Sequence, residues 1–323
     1  MSNNISRSYF MLLKELRYVL AIHTYGTMAK ASQHLYISQP ALSKYIQNLE
    51  DTLNVELFHR NNGRLTLTFA GEQYVSAATK MLEIFEHLES ELSDVQNAAK
   101  GRIRLGIATY RGPYLLPKVI AKFHREYPDI DLNVTEESAE NLEQMLSRGE
   151  LDIAIMNIPL SQPNLEYQPI LEEEIVLAVP ADHPKIQFGI EKEGCKYPWI
   201  DIKHFENDSY VLLKPHFKSR QIINAILNTI NFNPKSVIET GNINTGYRLA
   251  ANGYGITFIP ETYVNNSSSS VKAKVFSFGQ PCTKITLAVV YKKDAYMSKS
   301  CQIFLDMIKE FYMGADKTKP ENV

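Results

Sequence analysis

Two short stretches of this chain carry residue types at spacings that could do chemistry. The first is SQPALSKYIQ, residues 38–47. On a helix, Gln39, Ser43 and Gln47 recur every four residues with Lys44 beside them, so they share one face. Glutamine can make paired hydrogen bonds to the major-groove edge of adenine, and lysine can reach guanine acceptors or phosphate. A solvated helix of an ordinary bundle would show a similar face. The second stretch is Thr109-Tyr110-Arg111-Gly112, which follows the strand-like RIRLGIA and leads into a helix with Pro113 in its first turn. Unpaired N–H groups at a helix start, the Thr109 hydroxyl and the Arg111 guanidinium would together cradle a carboxylate or phosphate. Lys214 after YVLL, Asn244-Thr245 at another helix start and Asn157 after DIAIM stand at comparable places. Singly, each of these residues reads equally well as a surface charge or a helix cap.

Elements able to position these residues can be read from apolar spacing. Met28, Ala31 and Leu35 mark a short helix, and Leu42, Ile46, Leu49 and Leu53 mark the next. Thr27 and Ser38 stand where N-caps belong, and Pro40 sits in a first turn, where a missing N–H costs little. Two such helices joined by a tight turn form a helix-turn-helix, which offers the start of its second helix (Gln39, Pro40, Ser43) to base edges. FHRNNGRLTLT then reads as two extended pieces around Asn62-Gly63, a hairpin signal, with Arg60 and Arg64 on a wing. From residue 70 to 99 the apolar positions Val75, Ala78, Leu82, Phe85, Leu88, Leu92 and Val95 form a helical seam with one local slip. Such a stripe needs a cover, either a second copy of the chain or the chain's own body.

Beyond Gly101, strand candidates (RIRLGIA, IDLNVT, DIAIM, EIVLAVP, YVLL, SVIET, GITFIP, ITLAVVY) alternate with helical patterns near 115–126, 139–148, 218–230, 245–252 and 299–312. The alternation predicts α/β layers with largely parallel sheets, divided into two lobes. Residues 265–270 read as a polar loop and the last ten residues as a frayed tail.

Composition narrows the classes. Apolar content of 44% and charged content of 22% are those of an ordinary globular chain. No apolar run is long enough to span a bilayer, and Lys14, Glu15 and Arg17 interrupt the N-terminal apolar pattern, which argues against an export signal. Residues 1–70 hold seven Lys/Arg against four acids, a basic head on an acidic body that permits nucleic-acid binding. Three scattered cysteines (Cys195, Cys282, Cys301) suggest unpaired thiols in a reducing cytoplasm. Signatures of catalysis are missing. The cluster Gly246, Gly253 and Gly255 has neither nucleotide-loop spacing, no Gly-x-Ser-x-Gly elbow occurs, and no two histidines lie three or four residues apart. The expectation is no enzyme, no metal and no cofactor.

The stretch GTMAKASQHLYISQPALSKYIQNLEDTLNVELFHRNNGRLTLTFAGE resembles the N-terminal signature of LysR-type transcriptional regulators. The likeness lies in the KASQHL helix, SQPALS, the Ile46/Leu49-Glu50 pair, Leu57-Phe58-x-Arg60 and Leu67-Thr68-x-x-Gly71. LGIATYRGPYLLPKVIAKFHREYPDIDLNV, GELDIAI and ANGYGITFIP resemble landmarks of that family's regulatory domain. Three features depart from its pattern: Lys44 replaces a common Arg, Asn54 a common Gly, and residues 185–205 form a longer segment that reads as an extra loop.

The resemblance implies an N-terminal winged helix-turn-helix (1–69), a linker and dimerisation helix (70–99) and an α/β effector-binding domain (100–313). That domain would have two Rossmann-like, periplasmic-binding-protein-like lobes, one of about 100–178 plus 283–313 and the other of about 179–282, before a tail (314–323). It implies double-stranded DNA with a pseudo-palindromic operator, a small-molecule effector and a homodimer or homotetramer as partners, with no membrane. DNA contacts would come from Thr27, Lys30, Ser38, Gln39, Pro40, Ser43, Lys44, Gln47, Arg60 and Arg64. Effector contacts would come from Thr109 and Tyr110 by resemblance, joined by Arg111, Asn157, Lys214, Asn244 and Thr245, which together favour an anionic effector. The competing expectation is a small-molecule-binding module without DNA affinity.

Overall fold

The structure, a computed structural model, describes residues 2–61, 64–96, 100–266, 271–280 and 282–315. The chain divides into two compact units, Met1–Gln96 and Asn97–Val323.

In the first unit, helices α1 (Ser2–Tyr25), α2 (Met28–His34) and α3 (Gln39–Leu53) precede a hairpin of β1 (Phe58–Asn61) and β2 (Arg64–Leu67) and the long α4 (Phe69–Gln96). Val19, Ile22, Ala31, Leu42, Ile46 and Leu57 close a core between them. Thr27 Oγ1 accepts from Lys30 N at 3.3 Å and Ser38 Oγ from Ala41 N at 3.4 Å, so each cap answers an N–H that its helix cannot. Asn54 ends α3 in the left-handed region (φ 53°), a conformation asparagine tolerates where glycine is usual. Glu50 then accepts from the backbone N–H groups of Leu57 (2.7 Å) and Phe58 (3.2 Å), which ties α3 to the wing. The strands pair antiparallel from Phe58↔Leu67 to Asn61↔Arg64, while the Asn62-Gly63 turn lies outside the described residues.

The seam on α4 differs from the expected one. Its beginning packs on this unit's own core, with Ala78 buried and Tyr74 and Val75 against the cluster. Leu82 and Phe85 are half-buried, and the side chain of Val95 lies outside the described ones. Met81, Ile84, Leu88 and Leu92 form the exposed stripe, with Ile84 69% exposed.

The second unit begins with β3 (Gly101–Ala108), α5 (Gly112–Glu126), β4 (Ile130–Glu137), α6 (Ala139–Ser147), β5 (Ile153–Asn157) and the long β6 (Leu165–Val179). There follow β7 (Ser209–Leu213), α7 (Lys218–Thr229), β8 (Ser236–Thr240), α8 (Ile243–Ala251), β9 (Thr257–Pro260), α9 (Glu261–Asn266), β10 (Lys274–Phe276), β11 (Lys284–Lys292) and α10 (Lys299–Ala315). Only β3/β4, β3/β5 and β7/β8 pair parallel among the described strands. β11 runs antiparallel to both β5 and β6, and β6 runs antiparallel to β9 and β10. The sheet is therefore mixed rather than largely parallel, because the chain that returns from the second lobe enters the first against its strand direction.

β6 belongs to both lobes. Residues 165–174 pair with β11, and residues 175–179 with β9 and β10. Ile175, Leu177 and Val179 join the second lobe's core, with Tyr210, Leu212, Ile223 and Phe258. The lobe change thus falls at Glu174/Ile175, a few residues before the expected one. The first lobe's core gathers Ile103, Leu105, Ile107, Leu115, Phe123, Leu287 and Phe304.

Two further expectations are corrected. Asn265 and Asn266 end α9 rather than open a loop, and residues 267–270 lie outside the described ones. Cys195 and Cys282 are joined in a disulfide, Cα–Cα 5.8 Å, and Cys301 is buried outside that bond. Their separation of 87 residues hides the pairing from sequence. The bond fastens the long 185–205 segment, which also bridges Trp199 to Ser277, onto the second lobe.

Candidate functional site

In the first unit, α3 sorts its residues by face. Leu42, Ile46 and Leu49 are buried, Gln39, Pro40, Lys44 and Gln47 are exposed, and Ser43 is half-buried. Lys30 on α2 and Arg60 and Arg64 on the wing are exposed, and Thr27 is half-buried. Ser38 and Thr27 use their hydroxyls for capping. Arg60 Nη2 lies 3.8 Å from Glu50 Oε2, a loose surface pair that leaves the guanidinium open to solvent. Sequence reasoning missed Tyr36, which is 97% exposed with φ 54° in the turn between α2 and α3. A bulky residue held in the left-handed region with its ring in water is unusual, but nothing local in the sequence marks it.

The second unit carries a cavity of about 580 Å³ between its lobes. Thr109, Tyr110 and Asn157 line it from the first lobe and Asn244 from the second. The starts of four helices open onto it: α5 through Pro113 and Tyr114, α6 through Ser138 and Ala139, α7 through Phe217, Lys218 and Ser219, and α8 through Asn242 and Ile243. Three expected contacts fall elsewhere. Lys214 and Thr245 are exposed but do not line the cavity.

The third, Arg111, is fully buried and ion-paired with the buried Glu173 of β6. It also donates to Tyr114 Oη (2.8 Å), Asn157 Oδ1 (2.9 Å) and Thr262 Oγ1 (3.4 Å), and its guanidinium lies 4.8 Å from the Tyr110 ring centroid. Burial alone would depress this guanidinium, but the Glu173 carboxylate against it holds its pKa well above the ordinary value, so it is a charged strut. Asn157 is equally committed. Its Oδ1 also accepts from Tyr110 Oη at 2.5 Å, and its Nδ2 donates to Glu173 Oε1 and Thr286 O, both at 3.3 Å. Burial pushes the phenols of Tyr110 and Tyr114 up, so both stay neutral donors.

The expectation of an anionic effector rested on Arg111 and Lys214, and neither faces the cavity. The lining charges are Glu136, Glu137 and Glu140 from the first lobe and Lys218 and Arg248 from the second. Sequence reasoning missed all five. Lys218 is buried and paired with Glu143 of α6, so one ion pair joins the lobes at the cavity's edge. Glu143 also accepts from the backbone of Ser161 (2.8 Å) and Gln162 (3.0 Å).

Comparison with known proteins fits this anatomy. The family described as "Bacterial regulatory helix-turn-helix protein, lysR family" matches residues 13–72, and "LysR substrate binding domain" matches residues 96–312. An uncharacterized HTH-type transcriptional regulator of Bacillus subtilis, YcgK, is 28% identical over 97% of this chain and 100% of its own. A probable RuBisCO transcriptional regulator of Cyanidioschyzon merolae is 34% identical over 76% of this chain and 80% of its own. The solved structure of full-length OxyR from Pseudomonas aeruginosa, a cysteine-to-aspartate variant, superposes with TM-score 0.68 at 25% identity, covering 92% of this chain and 97% of that one. The chain belongs to the LysR family of transcriptional regulators, with a helix-turn-helix DNA-binding domain before an effector-binding domain.

Proposed function

We propose that this regulator reads its operator through the start of α3 and is controlled by a small molecule held between its lobes. Gln39, Pro40 and Ser43 read base edges, with Lys44 and Gln47 further along the same face. Lys30, Arg60, Arg64 and the caps Thr27 and Ser38 set the phosphate contacts that give salt-dependent affinity. Tyr36 joins them as a backbone contact. The observation that carries this reading is the division of α3 into a buried apolar face and an exposed polar one that begins at the helix N-terminus.

Residues 1–69 form the DNA-binding head and 70–99 the linker, whose stripe of Met81, Ile84, Leu88 and Leu92 pairs with a second copy. Residues 100–313 form the sensor. A dimer of such heads calls for a pseudo-palindromic operator, and pairs of dimers extend the assembly to a tetramer. The protein works in the cytoplasm as a regulator rather than an enzyme. Effector contacts come from Thr109, Tyr110 and Asn244, and occupancy biases the lobes between two arrangements that set the spacing of the heads.

Gel-shift titration on operator and scrambled DNA tests the reading. Gln39→Ala and Ser43→Ala each lose about 1–3 kcal/mol on the operator alone. Equal losses on both DNAs for Gln39→Ala would remove base readout from this helix.

A further inference from the structure

The distribution of charge around the cavity carries information about what fills it. Glu140, on the first turn of α6, has both carboxylate oxygens buried and neither has a hydrogen-bond partner among the described residues. A buried carboxylate without a donor is costly, and a cation arriving with a ligand would offset that cost. Its neighbours are already occupied. Glu137 Oε2 accepts from Ser138 N (3.3 Å) and Asn141 Nδ2 (3.0 Å). Glu136 lies against Gly112, where any Cβ would overlap its carboxylate, so it covers the start of α5.

The second lobe has the opposite character. α7 begins without a side-chain cap, and Ser219 of its first turn lines the cavity. Arg248 of α8 lines it as well, oriented by an Nε–H bond to Asn244 Oδ1 at 3.2 Å. Uncapped N–H groups at a helix start and a guanidinium in the same lining each favour an anion. Tyr110, Tyr114, Phe217 and Tyr263 add aromatic side chains to the same lining.

We propose that the effector is a zwitterionic amino carboxylate, its ammonium group on Glu140 in the first lobe and its carboxylate at the α7 start and Arg248 in the second. The assignment rests on the reading of this cavity as the effector site. A ligand with one pole on each lobe can draw the lobes together, which a purely anionic ligand held by the second lobe would not do.

The test titrates the full-length protein with the twenty proteinogenic L-amino acids, following thermal shift and calorimetry. Each binder is then compared with its des-amino carboxylate and its decarboxylated amine. At least one amino acid binds, and it binds at least tenfold more tightly than either fragment. Glu140→Gln weakens the amino acid about ten- to a hundredfold and leaves its des-amino analogue unchanged, as expected for one charged hydrogen bond. Arg248→Gln does the reverse, weakening the acid and sparing the amine. No binder among the amino acids, or a des-amino carboxylate as tight as its amino acid, overturns the proposal. Ser219→Trp, which fills the cavity, separates the two levels of inference. Binding that survives it unchanged takes the ligand out of this cavity altogether. Binding that it abolishes but Glu140→Gln does not touch leaves the cavity as the site and refutes the zwitterion.

Discussion

Replacing Arg111 by Met separates a structural arginine from a ligand-binding one. The guanidinium is fully buried, bonded to Tyr114, Asn157, Thr262 and Glu173, and Arg111 is absent from the cavity's lining. Methionine fills much of the stem's volume, so the loss is chiefly electrostatic. Glu173 would remain buried with only the Asn157 amide and the Thr262 hydroxyl as donors. Stranding one partner of a buried pair costs about 3–5 kcal/mol. For a unit of this size each kcal/mol is worth roughly 2–4 °C, so the unfolding midpoint of the second unit should fall by roughly 6–20 °C. Circular dichroism melts of the full chain measure this, and Glu173→Gln in the Arg111→Met background should recover about 1–3 kcal/mol, because the stranded charge is gone. A melt within about 2 °C of wild type, together with lost effector affinity, would refute the argument and return Arg111 to the ligand.

Three other outcomes follow from the same geometry. Ile84→Asp with Leu88→Asp puts charges into the exposed stripe of α4, and light scattering should then find monomers that no longer hold a two-half-site operator; an intact dimer would move the interface elsewhere. Arg60→Ala and Arg64→Ala should weaken operator and scrambled DNA alike and lower the salt slope by about one each. Lys218→Met strands Glu143 and cuts the ion pair between α6 and α7, so hydrogen exchange at both helix starts should rise; unchanged exchange would show that the pair does not restrain the lobes.

Local patterns in the sequence were the legible ones. The period of Leu42, Ile46 and Leu49 and the caps Thr27 and Ser38 placed α2 and α3, because everything that specifies a short helix lies within its own turns. Thr109, Tyr110, Asn157 and Asn244 were found as cavity residues because ligands in such folds meet loops beyond strand ends, and strand ends could be read. Long-range pairing stayed hidden. Arg111 looked like an anion cradle since its partner, Glu173, is 62 residues away, and the run Glu172-Glu173-Glu174 reads as polar surface. Yet Glu173 and Glu174 are buried within β6, the first satisfied by Arg111 and Thr262, the second by Lys196 N (2.9 Å) and the Ser277 hydroxyl. β10, three residues long, has too little pattern to be seen. The cavity's charge was misjudged for the same reason, since Glu140 and Arg248 matter only once two lobes face each other.

The lobe change within β6 makes the second lobe a guest in the first. Its two ends stand opposite each other as ladder partners, Glu174 across from Lys284, so the host strand and the returning strand are already in register where the guest departs and rejoins. A segment with neighbouring ends can be exchanged for another of different length with little change in loop-closure entropy. Grafting residues 175–283 from a relative would replace one whole wall of the cavity while the host sheet, its Glu140 and the α4 stripe remain. Such a graft would change Arg248 and the α7 start while Thr109, Tyr110 and Asn157 stay in place, so each wall's share of ligand preference could be read separately.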